Sequence, residues 1–265
     1  MREVQKERLI YLCADVIETS HCFTTRFGGV STGICSSMNI GTHRGDKPEN
    51  VLKNYEILGK ALNFDTRKLV LTKQTHTDIV RVVTEKDWGT GLFKPEFSPC
   101  DGLVTNTPGT ALVVFSADCT PILLWDNVTG AVGAVHAGWR GTAAQIGAKA
   151  VKAMIENFGC DPKNICAAIG PNIGPCCFET DADVPKAMLE NFGEEANACI
   201  RPAGDKYYVN LKALNALSLS RVGVTQVDIA EDCTKCSPHK YWSARVHGND
   251  RGSQGAIIVC QEAGI

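Results

Sequence analysis

Two apolar runs, Ile122 to Trp125 and Ala131 to Val135, enclose the segment Asp126-Asn127-Val128-Thr129-Gly130, and no other stretch limits the fold so firmly. Asp, Asn and Gly supply turn chemistry while the flanking β-branched and aromatic residues suit strands, so the segment predicts a β-hairpin. Pairing its arms about Val128 brings Cys119 opposite or next to His136. Residues directly opposed in an antiparallel pair have Cβ atoms about 5 Å apart, which suits two ligands of one ion or a Cys/His catalytic pair. Cys119 stands in Ser-Ala-Asp-Cys-Thr-Pro and His136 in Ala-Val-His-Ala-Gly-Trp-Arg-Gly, both where strand pattern meets loop signals, and such ends are where sites are built. Spacing alone leaves a structural role for the pair open.

Further strands are predicted at His21 to Arg26, Leu69 to Thr72, Ile79 to Val83, Gly102 to Thr105, Ala111 to Phe115, Ile165 to Ile169, Gln226 to Ala230, Tyr241 to Arg245 and Ala256 to Val259. A helix opens at Pro48, with Val51, Tyr55, Leu58 and Leu62 on one face, and others are predicted over Thr142 to Phe158, Asp183 to Asn191 and Asn210 to Arg221. His76 falls in the turn between the second and third of those strands. Phe27 to Asp46 reads as a loop rich in Gly, Ser and Thr, and Gly89 to Cys100 as an irregular surface loop. Many strands and few helices, without strict alternation, imply an α+β fold of mixed sheets covered by helices. At 265 residues, with no repeat or linker, the chain is expected to form a single domain over 1–265.

The formal net charge of −2 leaves no electrostatic footprint for nucleic acid or an anionic membrane, so a small molecule is the expected partner. The opening MREVQKERLI is too charged for a secretory signal and no run approaches a membrane span, which points to the cytoplasm. Thirteen cysteines, odd in number and scattered, fit reduced thiols better than a disulfide framework, most of them as small buried apolar groups.

A family resemblance rests on Thr24-Thr25-Arg26-Phe27-Gly28-Gly29-Val30-Ser31, Asn39-Ile40-Gly41-Thr42-His43-Arg44-Gly45-Asp46, Gln74-Thr75-His76, Asp101-Gly102-Leu103-Val104-Thr105, Ala117-Asp118-Cys119-Thr120-Pro121-Ile122, His136-Ala137-Gly138-Trp139-Arg140-Gly141 and Ile169-Gly170-Pro171-Asn172-Ile173-Gly174-Pro175-Cys176-Cys177-Phe178-Glu179. In these motifs, and in their order along nearly the whole chain, it resembles the laccase-domain purine nucleoside phosphorylase family, whose members also carry the name multicopper polyphenol oxidase. The resemblance implies a layered αββα fold and a zinc site made by His76, Cys119 and His136, at which copper is expected as a substitute ion because it binds such donors tightly. It also implies phosphorolysis of adenosine, inosine, guanosine or methylthioadenosine to base and pentose 1-phosphate, together with adenosine deamination. The C-terminal pattern is less faithful. Where the family shows Ser-x-Arg-Arg and Gly-Arg-Gln, this chain has Ser243-Ala244-Arg245-Val246 and Arg251-Gly252-Ser253-Gln254-Gly255.

Three protein ligands leave the fourth tetrahedral position of zinc open, the arrangement of a catalytic site. Arg140, just before the Thr142 helix, is the candidate anion binder, since free N–H groups and the helix dipole favour phosphate there. Through the resemblance Arg26, His43 and Arg245 join it as candidate binders of phosphate, ribose or base. Asp118 either orients a neighbouring histidine and takes a proton during catalysis, or closes a turn through its own backbone. Cys176-Cys177 is expected to pack, because adjacent residues rarely aim both thiolates at one ion, and Cys233-x-x-Cys236 is half a structural zinc site without a second pair at the usual spacing. The zinc nucleobase deaminase signature is absent. Three other readings stand beside the phosphorylase. One is a Cys/His hydrolase of a peptidoglycan precursor with Cys119 as nucleophile, the second a non-catalytic metal-binding protein, and the third a copper-dependent phenol oxidase. The last is weakened by six histidines, none in His-x-His spacing.

Overall fold

A computed structural model describes residues 1–261, and the period-two alternation of its strands explains how the layers form. One six-stranded sheet runs β1 (Arg2–Lys6), β2 (Leu9–Cys13), β3 (His21–Thr24), β15 (Gln254–Val259), β7 (Ala111–Ser116) and β4 (Leu69–Leu71). The other runs β14 (Gln226–Ile229), β10 (Ile165–Ile169), β8 (Thr120–Asp126), β9 (Val132–Ala137), β6 (Gly102–Thr105) and β5 (Val80–Val82). Along β7, Leu112 and Val114 enter the core shared by the two sheets, where they meet Leu103, Leu123, Val132, Ala134 and Ala168. The alternate residues Ala111 and Val113 face outward onto Val51, Tyr55, Leu58 and Leu62 of helix α1 (Pro48–Leu62). In the second sheet Ile122, Leu124, Val135 and Ile169 face outward onto α3 (Ile146–Phe158) and Leu219 of α5 (Leu211–Arg221). Strands apolar on both faces must be covered twice, and αββα layering is the result. The implied fold is therefore the one adopted.

The chain passes from the first sheet to the second between β4 and β5 and again between β7 and β8. Parallel β4–β7 pairing puts the two crossings at the same end of the sandwich. That end also receives the start of β15, with Gln254 opposite Ser116, the start of β6, with Gly102 opposite Val135, and the end of β9. Distant segments are thus delivered to one place by topology.

Several boundaries differ from expectation. The Thr142 to Phe158 helix is two pieces, α2 (Trp139–Ala143) and α3, because Gln145 adopts φ 56° between them. Residues 241–245 form no strand. Tyr241, Trp242 and Ser243 are buried in succession outside any strand, and α6 (Ala244–His247) starts where the backbone N–H of Arg245 donates to Asp118. The β1–β2 hairpin and a small sheet of β11 (Glu179–Thr180), β13 (Lys206–Val209) and β12 (Ile200–Ala203) went unanticipated; β1 is mostly exposed and β12 half so, leaving little apolar alternation to read. Helix α4 (Asp183–Phe192) lies where the spacing predicts one.

Candidate metal centre and its cavity

The 120–137 hairpin forms, but its register is displaced from the one expected. Thr120 pairs with Ala137 and Pro121 with His136, so Cys119, just before β8, falls level with Gly138 and diagonal to His136. Diagonal neighbours share a face of the sheet and stay within reach of long side chains. Gly138 is required by this arrangement, since a Cβ there would lie 2.6 Å from His76 Cδ2 and 3.4 Å from Cys119 Sγ.

His76 arrives on the first crossing, with φ 63°. The turn is held by one carboxylate, because Thr75, His76 and Thr77 donate their backbone N–H groups to Asp101 at 3.2, 3.1 and 2.7 Å. The same carboxylate accepts from the Thr77 hydroxyl at 2.7 Å and bonds His136 Nδ1 at 2.7 Å. Asp101 is fully buried. Burial alone would raise its pKa, but the bonds from His136 and Thr77 overcome that and hold it down to about 2. With Nδ1 engaged, His136 is left with Nε2 to offer an ion.

The donors of His76, Cys119 and His136 lie within 4.8 Å of one another, with Cys119 Sγ 3.7 Å from His76 Nε2. Without an ion, Cys119 and His136 behave as a charge pair. Burial disfavours the thiolate, yet the charge and hydrogen bond of His136, followed by those of His76, bring Cys119 down to about 6. Burial likewise disfavours the imidazolium, and Cys119 and Asp101 lift His136 to about 9 regardless. A soft thiolate, two imidazoles and an anion orienting one of them fit a tetrahedral zinc or copper site with one position open.

The triad lines a cavity of about 550 Å³ together with His43, Arg44 and Arg251. Arg251 is 8% exposed and Arg44 half-buried. Arg251 donates to the carbonyls of Gly248 and Gly252, and Arg44 to the Ser253 hydroxyl. Among the described residues neither guanidinium is paired with a carboxylate. Burial, then repulsion from Arg44, pushes the Arg251 pKa down to about 10. His43 sits at the mouth, bonded to Glu96.

The other expected residues are placed differently. Arg140 is exposed within the first turn of α2, does not line the cavity, and lies 4.2 Å over the Trp139 ring. Arg26 lies against Trp242 and donates to the Pro238 carbonyl at 2.7 Å. Arg245 donates to the Glu179 carbonyl at 2.9 Å. Asp118 does not orient a histidine, since its carboxylate accepts from the Thr234 and Ser243 hydroxyls and from the Arg245 N–H; the orienting carboxylate is Asp101. Cys176 is exposed rather than packed, and it converges with Cys177, Cys233 and Cys236. Asp101, Arg44 and Arg251 escaped the sequence reading as site residues although each stands in or beside a motif. Their signal is burial of charge, which a sequence does not display.

A layered αββα fold with a Cys/His cluster able to hold a metal ion at one end of its sandwich is the class these features define. The chain belongs to the multi-copper polyphenol oxidoreductase laccase family, whose model matches residues 20–261. It is 35% identical over 240 residues to purine nucleoside phosphorylase YlmD of Bacillus subtilis, covering 89% of this chain and 85% of that one. Against purine nucleoside phosphorylase YfiH of Escherichia coli it is 34% identical, covering 84% and 87%. The crystal structure of YlmD from Geobacillus stearothermophilus superposes with a TM-score of 0.91 at 31% identity, covering 98% and 99%. No helix among the described residues is long and apolar enough to cross a membrane.

Proposed function

We propose that this chain is a zinc-dependent purine nucleoside phosphorylase that also deaminates adenosine. The observation that carries the reading is the meeting of two carboxylate-free guanidiniums, Arg44 and Arg251, with the His76, Cys119 and His136 donors in one cavity. A guanidinium buried without an anion is costly, and a phosphate between Arg44 and Arg251 would offset that cost. The nucleoside then lies with its C1′ toward the phosphate. Attack of a phosphate oxygen on C1′ forms the new C–O bond as the glycosidic C–N bond breaks, and the departing purine takes the bonding electron pair and a proton. Arg44 and Arg251 hold the nucleophile in line and balance its charge, which is where positioning lowers the barrier. His43, bonded to Glu96 at the mouth, is assigned the transfer of that proton. Zinc held by His76, Cys119 and His136 would supply a Lewis acid with one open position, the property that deamination of the purine needs. Asp101 keeps His136 in the binding tautomer.

A second reading is favoured by the Cys119–His136 charge pair, which is also what an activated thiolate nucleophile requires. It gives a hydrolase whose thiol is free of metal. The metal-replete chain, assayed with adenosine, inosine, guanosine and methylthioadenosine, is expected to release base only with phosphate present and to form pentose 1-phosphate in equal amount. Base release independent of phosphate, or none from any nucleoside, would sink the phosphorylase. Inosine formed from adenosine without phosphate is the separate check on deamination.

A further inference from the structure

Away from the cavity, Cys176, Cys177, Cys233 and Cys236 bring four Sγ atoms within 4.8 Å of one another. Cys236 Sγ is 3.4 Å from that of Cys177 and 3.7 Å from that of Cys176. Bonds of about 2.3 Å in a tetrahedral zinc tetrathiolate separate the sulfurs by roughly 3.8 Å. The adjacency of Cys176 and Cys177 is no obstacle here, because they lie in a tight turn and not a strand. The N–H groups of Cys177 and Phe178 both donate to the Gly174 carbonyl at 2.9 Å, and neighbours in a turn need not alternate faces as they do in a strand. The second pair comes from a segment remote in sequence, tied in by a parallel bridge between Asn172 and Cys233 and by Thr234 N donating to Asn172 at 3.0 Å. Gly174 N donates to Cys233 Sγ at 3.2 Å, and a Cβ at Gly174 would press on Cys176 Sγ at 3.3 Å.

A second observation comes from Lys212, which is buried and donates to the carbonyls of Ala230 and Asp232, and on whose charge the Asp232 carboxylate acts first and Cys233 and Cys176 after it. A buried ammonium needs anions close by, and Asp232 supplies one of them. Four thiolates around a divalent ion carry a net double negative charge and would add to it on the side of Cys233 and Cys176.

We propose that Cys176, Cys177, Cys233 and Cys236 form a second, structural zinc site that clamps the 172–178 loop to the 233–237 loop. Binding turns four thiols into thiolates and releases their protons to solvent. The clamp bears on the catalytic end of the sandwich, since Ile173 N donates to the Asp118 carbonyl at 2.9 Å and the Thr234 hydroxyl to its carboxylate at 2.6 Å. Asp118 is the residue before Cys119. The site is independent of the phosphorylase reading, and its test does not use turnover.

Chain purified with zinc under reducing conditions is expected to carry one more zinc equivalent than His76, Cys119 and His136 can hold. That extra equivalent should survive in Cys119→Ser combined with His136→Ala, and cobalt in that variant should show the charge-transfer bands of four thiolates. Cys233→Ser combined with Cys236→Ser should lose it while the first site still fills. Because this second variant can misfold, alkylation of the unmutated chain is the companion measurement. Cys176 and Cys236 are exposed, so slow alkylation that becomes fast when a chelator strips the ion supports the site. Fast alkylation of both in zinc-loaded chain, a disulfide among the four in anaerobically purified chain, or a zinc-free Cys119→Ser, His136→Ala variant would overturn it.

Discussion

The 76–136 centre and the 176–236 corner are both built from soft ligands, yet they are put together differently. At the first, three donors from separate segments meet in a cavity that also holds Arg44 and Arg251, and the buried Asp101 carboxylate fixes two of them, His136 directly and His76 through its turn. At the second, four thiols from two turns converge on one another, supported by backbone N–H groups. Mixed nitrogen and sulfur ligation with a vacancy suits chemistry on a substrate, whereas tetrathiolate ligation leaves nothing open and suits architecture. The contrast teaches that cysteine count says little about a cysteine's work. Its neighbours decide.

The largest expected effect tests the chemical side of that contrast. Cys119→Ser replaces a soft anionic ligand with a poor one, so metal at the cavity and nucleoside turnover should fall together, turnover by about a hundredfold or more. Metal analysis beside a phosphorolysis assay reads both. Full metal with lost turnover would transfer the weight to the thiolate-nucleophile reading. His76→Ala should behave as Cys119→Ser does, and neither should disturb the four-cysteine corner.

Asp101→Asn probes what the corner lacks, a carboxylate that sets a ligand's tautomer. Loss of such a partner typically costs about ten- to a hundredfold in metal affinity. The pH dependence sharpens this. Metal-free Cys119 is a thiolate above about pH 6, while His136 keeps its proton up to about pH 9. Between those values binding must expel one proton, so apparent affinity should rise roughly tenfold per pH unit and then level off. In Asp101→Asn the imidazolium loses an anionic partner, and the plateau should begin at lower pH. Competition with a chromophoric chelator across pH measures it, and a flat wild-type profile from pH 6 to 9 would refute the charge pair.

Arg251→Ala should weaken phosphate use by about ten- to a hundredfold, equivalent to a charge-assisted contact of roughly 1.5–3 kcal/mol, and leave zinc in place. Phosphate saturation curves with inosine measure it. Equal loss in adenosine deamination without phosphate would instead make Arg251 a wall of the purine pocket.

How much of this could be read beforehand follows a physical line. Short apolar runs and helical spacing were legible, so β6 and β10, buried along their whole length, and the face of α1 stand where the sequence puts them. The hairpin was legible but its register was not, because turn residues permit several pairings and the choice falls to packing on both faces. His76 could be placed beside Cys119 only through the family motif. Nothing local reveals that two inter-sheet crossings end together. Asp101, Arg44 and Arg251 were hidden for a related reason: each owes its importance to being buried, and charged residues are ordinarily exposed. The four-cysteine corner joins segments too far apart for any ligand-spacing rule.

Arg140→Ala carries the smallest expected effect and reverses what its sequence position suggests. Standing between a metal-ligand strand and a helix, Arg140 looks like the phosphate binder, and on that basis its loss would harm phosphorolysis more than deamination. The helix beginning there is five residues long, too short for much of a dipole, and the guanidinium lies over Trp139 outside the residues lining the cavity. An exposed cation–π contact is worth about 0.5–1 kcal/mol, so removing it should cost a little stability, seen as a small drop in Tm. Phosphorolysis and deamination should each change by less than about threefold, within the scatter of ordinary surface substitutions. Measured beside Arg251→Ala on preparations of equal zinc content, the pair decides which arginine carries phosphate. If Arg140→Ala raises the phosphate requirement tenfold while Arg251→Ala does not, the anion sits at the start of α2, and the cavity arginines serve the purine or the ribose.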